Sequence, residues 1–147
     1  MGPRSRYPSS VTLLAVALSV GLGCAKDPTT VFVVVAADSS VPPILILRTV
    51  VERAGDPASR ASVERTSNYV ADAADRPGPF LFPLGLPLTV DQSYAGPVII
   101  TVEGVDWDTR AVNARGGASA TVVAQKVSEA SLTLTAVASG GGDGGVD

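Results

Sequence analysis

Asp106, Trp107, Asp108 and Thr109 form "DWDT", a four-residue stretch that gathers two acids, an aromatic ring and a hydroxyl. Two acids at i and i+2 in a loop could offer oxygens to calcium, although that ion takes roughly six to eight oxygen ligands and this loop shows fewer. An exposed Trp107 could instead stack on a sugar face or anchor an interface. The plainer reading is a hairpin turn whose Trp107 folds back over a sheet. The sequence leaves these readings open. Elsewhere the chemistry narrows quickly. There is no histidine, and Cys24 is the only cysteine. That removes His-based triads and the usual zinc sites. No phosphate-cradling glycine loop or dinucleotide fingerprint occurs. A glycosidase needs two carboxylates across a cleft, whereas the acids here mostly sit in turns, where Asp is favoured for backbone reasons. The expectation is a non-catalytic protein without metal or non-covalent cofactor.

Cys24 calls for a different account. Arg4 and Arg6 give the chain a positive start, Val11 to Val20 is apolar but for Thr12 and Ser19, and small residues lead into Cys24. Charged start, short apolar run and small-residue exit make the form of an export signal. A membrane-spanning helix needs about 20 apolar residues, and Val11 to Gly23 is shorter than that. An unpaired thiol is unusual in an exported protein. The stretch "LSVGLGC" resembles the lipobox of bacterial lipoproteins, with Gly23 as the small residue before the cysteine. Gly21 stands where that family prefers leucine, and Leu22 follows it. The resemblance implies a diacylglycerol on the Cys24 sulfur, cleavage between Gly23 and Cys24, and often an acyl group on the new amino terminus. One acyl chain binds a membrane only marginally, but two or three hold it durably. Ala25, rather than Asp, follows the cysteine, which implies the outer membrane rather than the inner one.

The expected organisation is a signal peptide over 1–23, a lipidated tether over 24–30, one domain over 31–138 and a Gly-rich flexible tail over 139–147. The tail, "SGGGDGGVD", has nothing to bury. Without Arg4 and Arg6, nine basic residues face fourteen acidic ones and no basic cluster is left. Nucleic-acid binding needs Lys and Arg against phosphates, so no nucleic-acid partner is expected. A domain of about 110 residues is large enough for one core. The 22 valines of the chain and its many threonines favour strands, where branched side chains pack on a pleated surface.

The strand pattern follows. "TTVFVVVAA" (Thr29 to Ala37) reads as a strand buried on both faces or pairing centrally. Ile44 to Arg53 reads as a second strand with Leu45, Leu47 and Val51 toward the core. "AGDPASR" reads as a loop, Val63 to Val70 as a weak exposed strand, and Ala71 to Pro79 as a mobile surface loop. In "FLFPLGLPLTV", Phe80, Phe82, Leu84, Leu86, Leu88 and Val90 fall at every second position, which puts all six on one face. That face is core or, more sharply, an apolar groove or docking edge. Pro83 and Pro87 restrict the segment to an edge, a bulge or a change of sheet. Pro97 to Val105 is another strand, "DWDT" turns the chain, and "RAVNA" is a short strand ended by a Gly116–Gly117 turn. Ala118 to Val127 and Ala130 to Ala138 close the pattern as antiparallel strands.

Seven or eight short strands between turn signals argue for an all-β domain, a single antiparallel sandwich of immunoglobulin-like or transthyretin-like type. The run from Val98 to Val137 resembles the closing strands of sandwich domains in bacterial envelope lipoproteins. Gly104 and Asp106 match the first turn of that pattern, and Ser128–Glu129 replaces its last glycine turn. The expected function is that of a lipid-anchored accessory or adhesion-type module. It would bind an envelope protein or polysaccharide through Asp106, Trp107 and Asp108, or through Phe80, Phe82 and Leu84. A small apolar-ligand carrier and a structural subunit that docks by strand addition are the alternatives.

Overall fold

β-Branched residues at alternate positions build the first strand of the computed structural model, which describes residues 27–67 and 77–138. Strand β1 (Thr29–Ala37) buries Val31, Val33 and Val35 completely, while Phe32 and Val34 stay exposed on the opposite face. Of the two expectations for this strand, central pairing holds, between two strands, and burial on both faces does not, because only one of its faces is covered. It also begins within the stretch read as tether, because Thr29 and Thr30 already pair with neighbouring strands.

The remaining strands are β2 (Ile46–Arg53), β3 (Asp56–Thr66), β4 (Leu84–Val90), β5 (Gly96–Val105), β6 (Val112–Val122) and β7 (Val127–Ala136). A single 3-10 turn, Gln92–Tyr94, links β4 to β5, with the Asp91 carboxylate accepting from Ser93 N at its start. The fold is all-β. All seven strands lie in one mixed sheet of order β3-β2-β5-β6-β7-β1-β4. The expectation of wholly antiparallel pairing is corrected at one place: β1 runs parallel to β7, from Thr30 beside Val127 to Ala37 beside Leu134. The physical reason is connectivity. The first and last strands start at the same end of the sheet, so pairing them side by side makes them parallel.

The sheet curls around one apolar cluster. Val31, Val33 and Val35 of β1 meet Leu47 and Val51 of β2, Leu86 and Leu88 of β4, and Val98, Ile100 and Val102 of β5. Ala114 and Val122 of β6, Leu132 and Leu134 of β7, and Ile44 just before β2 complete it. Each valine, leucine or isoleucine side chain contributes about 1.5–3 kcal/mol when fully buried, so the cluster is what holds the curl. Strand β3 contributes nothing to it and is mostly exposed.

Further expectations change. The strand expected over Ala118 to Val127 is split, since β6 ends at Val122 and β7 begins at Val127, and Ser128 and Glu129 lie within β7 rather than in a turn. "AGDPASR" is not a loop: Ala54 and Gly55 alone make the hairpin turn, Gly55 at a φ of 81°, and β3 starts at Asp56. An edge strand tolerates Pro57 because a missing N–H there costs no ladder bond. Gly116 and Gly117 do not turn the chain but lie within β6. A Cβ on Gly116 would collide with the Thr133 carbonyl of β7, so the glycine marks a close approach of two backbones rather than a break. Phe80 to Pro83 precede β4 instead of belonging to it, with a cis bond between Phe82 and Pro83. Residues 1–26, 68–76 and 139–147, which carry the signal, most of the expected mobile loop and the tail, lie outside the described residues.

Candidate functional site

The "DWDT" segment is the turn from β5 to β6, and its chemistry is turned inward. One oxygen of Asp106, Oδ1, accepts from Asp108 N at 3.0 Å, Thr109 N at 2.7 Å and Thr109 Oγ1 at 2.9 Å. Asp106 N donates to Ala111 O at 2.8 Å, and Arg110 takes a left-handed φ of 61° to bring the chain round. A short acidic side chain bonded to the amides just after it stabilises a turn without any ligand. Trp107 is half-buried and Asp108 exposed. Among the described residues, no group of three His, Cys, Asp or Glu could hold a metal ion.

Phe80, Phe82 and Leu84 are half-buried and pack against the core cluster, as do Leu86, Leu88 and Val90 within or beside it. The two-residue period was therefore read correctly as a core-facing side. Phe80 and Leu84 also line a shallow depression with Leu81, which is 68% exposed. Phe80 N donates to Ile44 O at 2.8 Å, and Ile46 pairs with Val105. That places Phe80 and the "DWDT" turn at the same end of the curled sheet, opposite the end where β1 starts. Gly23 and Cys24 lie outside the described residues.

Sequence reasoning missed a row of charges on the outer face. Glu64, Arg48, Glu103 and Arg115 stand in register on β3, β2, β5 and β6. Glu103 is only 4% exposed, and both its oxygens are engaged. Oε1 takes Arg115 Nε at 3.1 Å and Nη2 at 2.8 Å, while Oε2 takes Arg48 Nη1 at 3.3 Å. Arg48 Nε reaches Glu64 Oε1 at 2.9 Å, and Arg110 Nη2 reaches Glu64 Oε2 at 2.6 Å. The hydrogen bond from Arg110, then that from Arg48, holds Glu64 below its ordinary carboxylate range. Glu64 in turn raises Arg48 above its ordinary value, with Glu103 adding to the effect. Each charge was visible in the sequence. Their alignment depends on strand register, which periodicity alone does not give.

A second missed feature is the seam where the two edge strands approach. Between β3 and β4 lies a cleft of about 450 Å³, lined by Thr49, Val51, Ala61, Val63, Leu88 and Val90, with Arg65, Asp91 and Tyr94 as polar groups. Two side chains bridge it. Arg65 Nη2 donates to Pro87 O at 2.6 Å, and the Tyr94 hydroxyl donates to Ser59 O. Compared with known proteins, the chain matches no family model, no curated protein and no solved structure.

Proposed function

We propose that the protein is a non-catalytic, lipid-anchored envelope protein of bacterial type, held in the outer membrane by acyl groups on Cys24. It would act as an accessory or adhesion-type module for an envelope protein or polysaccharide. The observation that carries this reading is the run from Arg4 and Arg6 through the apolar Val11 to Val20 stretch to Gly23–Cys24, five residues ahead of β1. Cleavage before Cys24 would remove no residue of the sheet.

We further read the curled sheet as a sandwich, with β3, β2, β5 and β6 facing β7, β1 and β4 across the common cluster. Its order favours the transthyretin-like alternative over the immunoglobulin-like one. Immunoglobulin constant domains place strands one, two, five and four together, whereas here strand one lies between seven and four.

The alternatives fare differently. The seam cleft is apolar enough to keep the small-ligand carrier in view, although its lining comes from β2, β3 and β4 rather than from Phe80 and Phe82. Strand addition along β4 is disfavoured. The Pro87 carbonyl points to the free edge and is already taken by Arg65, and Pro87 offers no N–H beside it.

The test is the intact mass of membrane-fraction protein beside a Cys24→Ser variant. Native protein starting at Cys24 with added acyl mass, and a variant that is soluble or uncleaved, is the expected result. Unlipidated native protein released from the membrane would sink the anchor and leave a secreted module.

A further inference from the structure

Exposed apolar side chains sit beside the point where the chain enters the sheet. Val123 and Val127 flank the β6–β7 turn and are 45% and 67% exposed. Lys126, between them, is exposed and makes no ion pair with another described residue. The turn is fastened to the first residues of β1. Thr30 N donates to Lys126 O at 3.0 Å, Gln125 N donates to Thr29 Oγ1 at 2.9 Å, and Thr30 pairs with Val127.

Thr29 is five residues from Cys24. Fully extended chain covers about 3.3–3.6 Å per residue, so that stretch spans at most about 18 Å. We propose that the β6–β7 turn is the surface by which the protein rests on the membrane, with Val123 and Val127 among the lipid headgroups and Lys126 against anionic ones. The inference rests on the lipid-anchored reading above and adds an orientation to it. Two valines and one lysine bind a bilayer weakly from solution. Once the chain is tethered nearby, the contact becomes intramolecular and its effective concentration is high. A basic side chain near an anionic surface adds attraction of the same sign. The nine residues of β1 then carry the chain about 30 Å away from the membrane at ~3.3 Å each. The "DWDT" turn and the Phe80 to Leu84 segment would face away from the bilayer, toward a partner.

The experiment uses the lipidated chain in vesicles of phosphatidylethanolamine and phosphatidylglycerol whose acyl chains carry bromine. With Cys24 acylated, Val127→Cys or Ser39→Cys supplies the one free thiol for a fluorescent label; Ser39 lies in the turn after β1, at the far end. The expected result is loss of emission at position 127 and none at 39, with the loss at 127 abolished when Cys24→Ser is added. Protein that floats with the vesicles but shows equal, unquenched emission at both positions overturns the docked orientation and leaves the anchor standing. Protein that carries no acyl group and does not float overturns the anchor, and the orientation with it.

Discussion

At the scale of single residues, Glu103 is the most exacting commitment among the described residues, the one charged side chain among them that is buried. A carboxylate this deeply covered is tolerable only when its oxygens are bonded, and Arg115 and Arg48 supply those bonds. Both arginines keep access to solvent, so removing Glu103 leaves them hydrated rather than stranded. Hydrogen bonds to charged groups contribute about 1.5–3 kcal/mol. Glu103→Ala should therefore cost about 2 kcal/mol in denaturant unfolding; a loss below about 0.5 kcal/mol would show the row to be ornamental. Glu64 behaves differently because it is exposed. Its folded value lies below the ordinary 4.5, so its contribution is complete above that pH and is lost as the pH falls through the lowered value. Melting curves of the protein and of Glu64→Gln should differ at pH 7 and converge as the medium is acidified below 4.5. A gap that holds constant down to strong acid would exclude the Arg110 and Arg48 bonds as its source.

At the scale of strands, β6 shows what periodicity reads and what it misreads. Two adjacent glycines look like a turn, but Gly116 and Gly117 have different reasons to be there. A Cβ at Gly116 runs into the Thr133 backbone, whereas one at Gly117 meets only Ile100 O at an ordinary 3.6 Å. Overpacking that forces a backbone shift costs about 1–3 kcal/mol, while Gly to Ala in a strand at an unstrained φ can gain about 0.5–1 kcal/mol. Gly116→Ala should be clearly destabilised in thermal unfolding, and Gly117→Ala should match or exceed the parent. Equal losses for both would mean that β6 is no closer to β7 at Gly116 than elsewhere. The strands themselves were legible where apolar positions alternate, as in β4 and β7, and in β1 from its run of branched residues, although its one-sided burial was not. The core-facing set from Phe80 to Val90 was read from its spacing alone. The start of β3 was not, because "GDP" signals a turn equally well one residue before a strand or inside a loop. The parallel pairing of β1 with β7 lies between the ends of the domain, where no local pattern reaches. The "DWDT" turn was legible as a turn, but the inward bonding of Asp106 required coordinates.

At the scale of the whole molecule, the sheet curls until its edges β3 and β4 approach, yet no ladder joins them. Free edges invite pairing with other chains, and proteins guard against it with charges and prolines. Here β3 carries Arg60, Glu64 and Arg65, and β4 carries Pro87. The seam is held by side chains reaching carbonyls, Arg65 to Pro87 and Tyr94 to Ser59. This makes β3 the element with least to lose on opening: it adds nothing to the core cluster and is fixed by its ladder to β2, by the pairs of Glu64 with Arg48 and Arg110, and by these two bridges. Local opening follows the local bonding that resists it. Replacing both bridges, Arg65→Met with Tyr94→Phe, removes about 1 kcal/mol for each bond and somewhat more for the charged one. Amide exchange should then quicken by roughly tenfold or more across β3 while β1 and β5, at the centre of the cluster, keep their protection. Uniform acceleration over all strands would mean that the seam opens only when the whole sheet does. Unchanged exchange in β3 would mean that its ladder to β2 and the Glu64 ion pairs hold it, and that the two bridges merely occupy the gap.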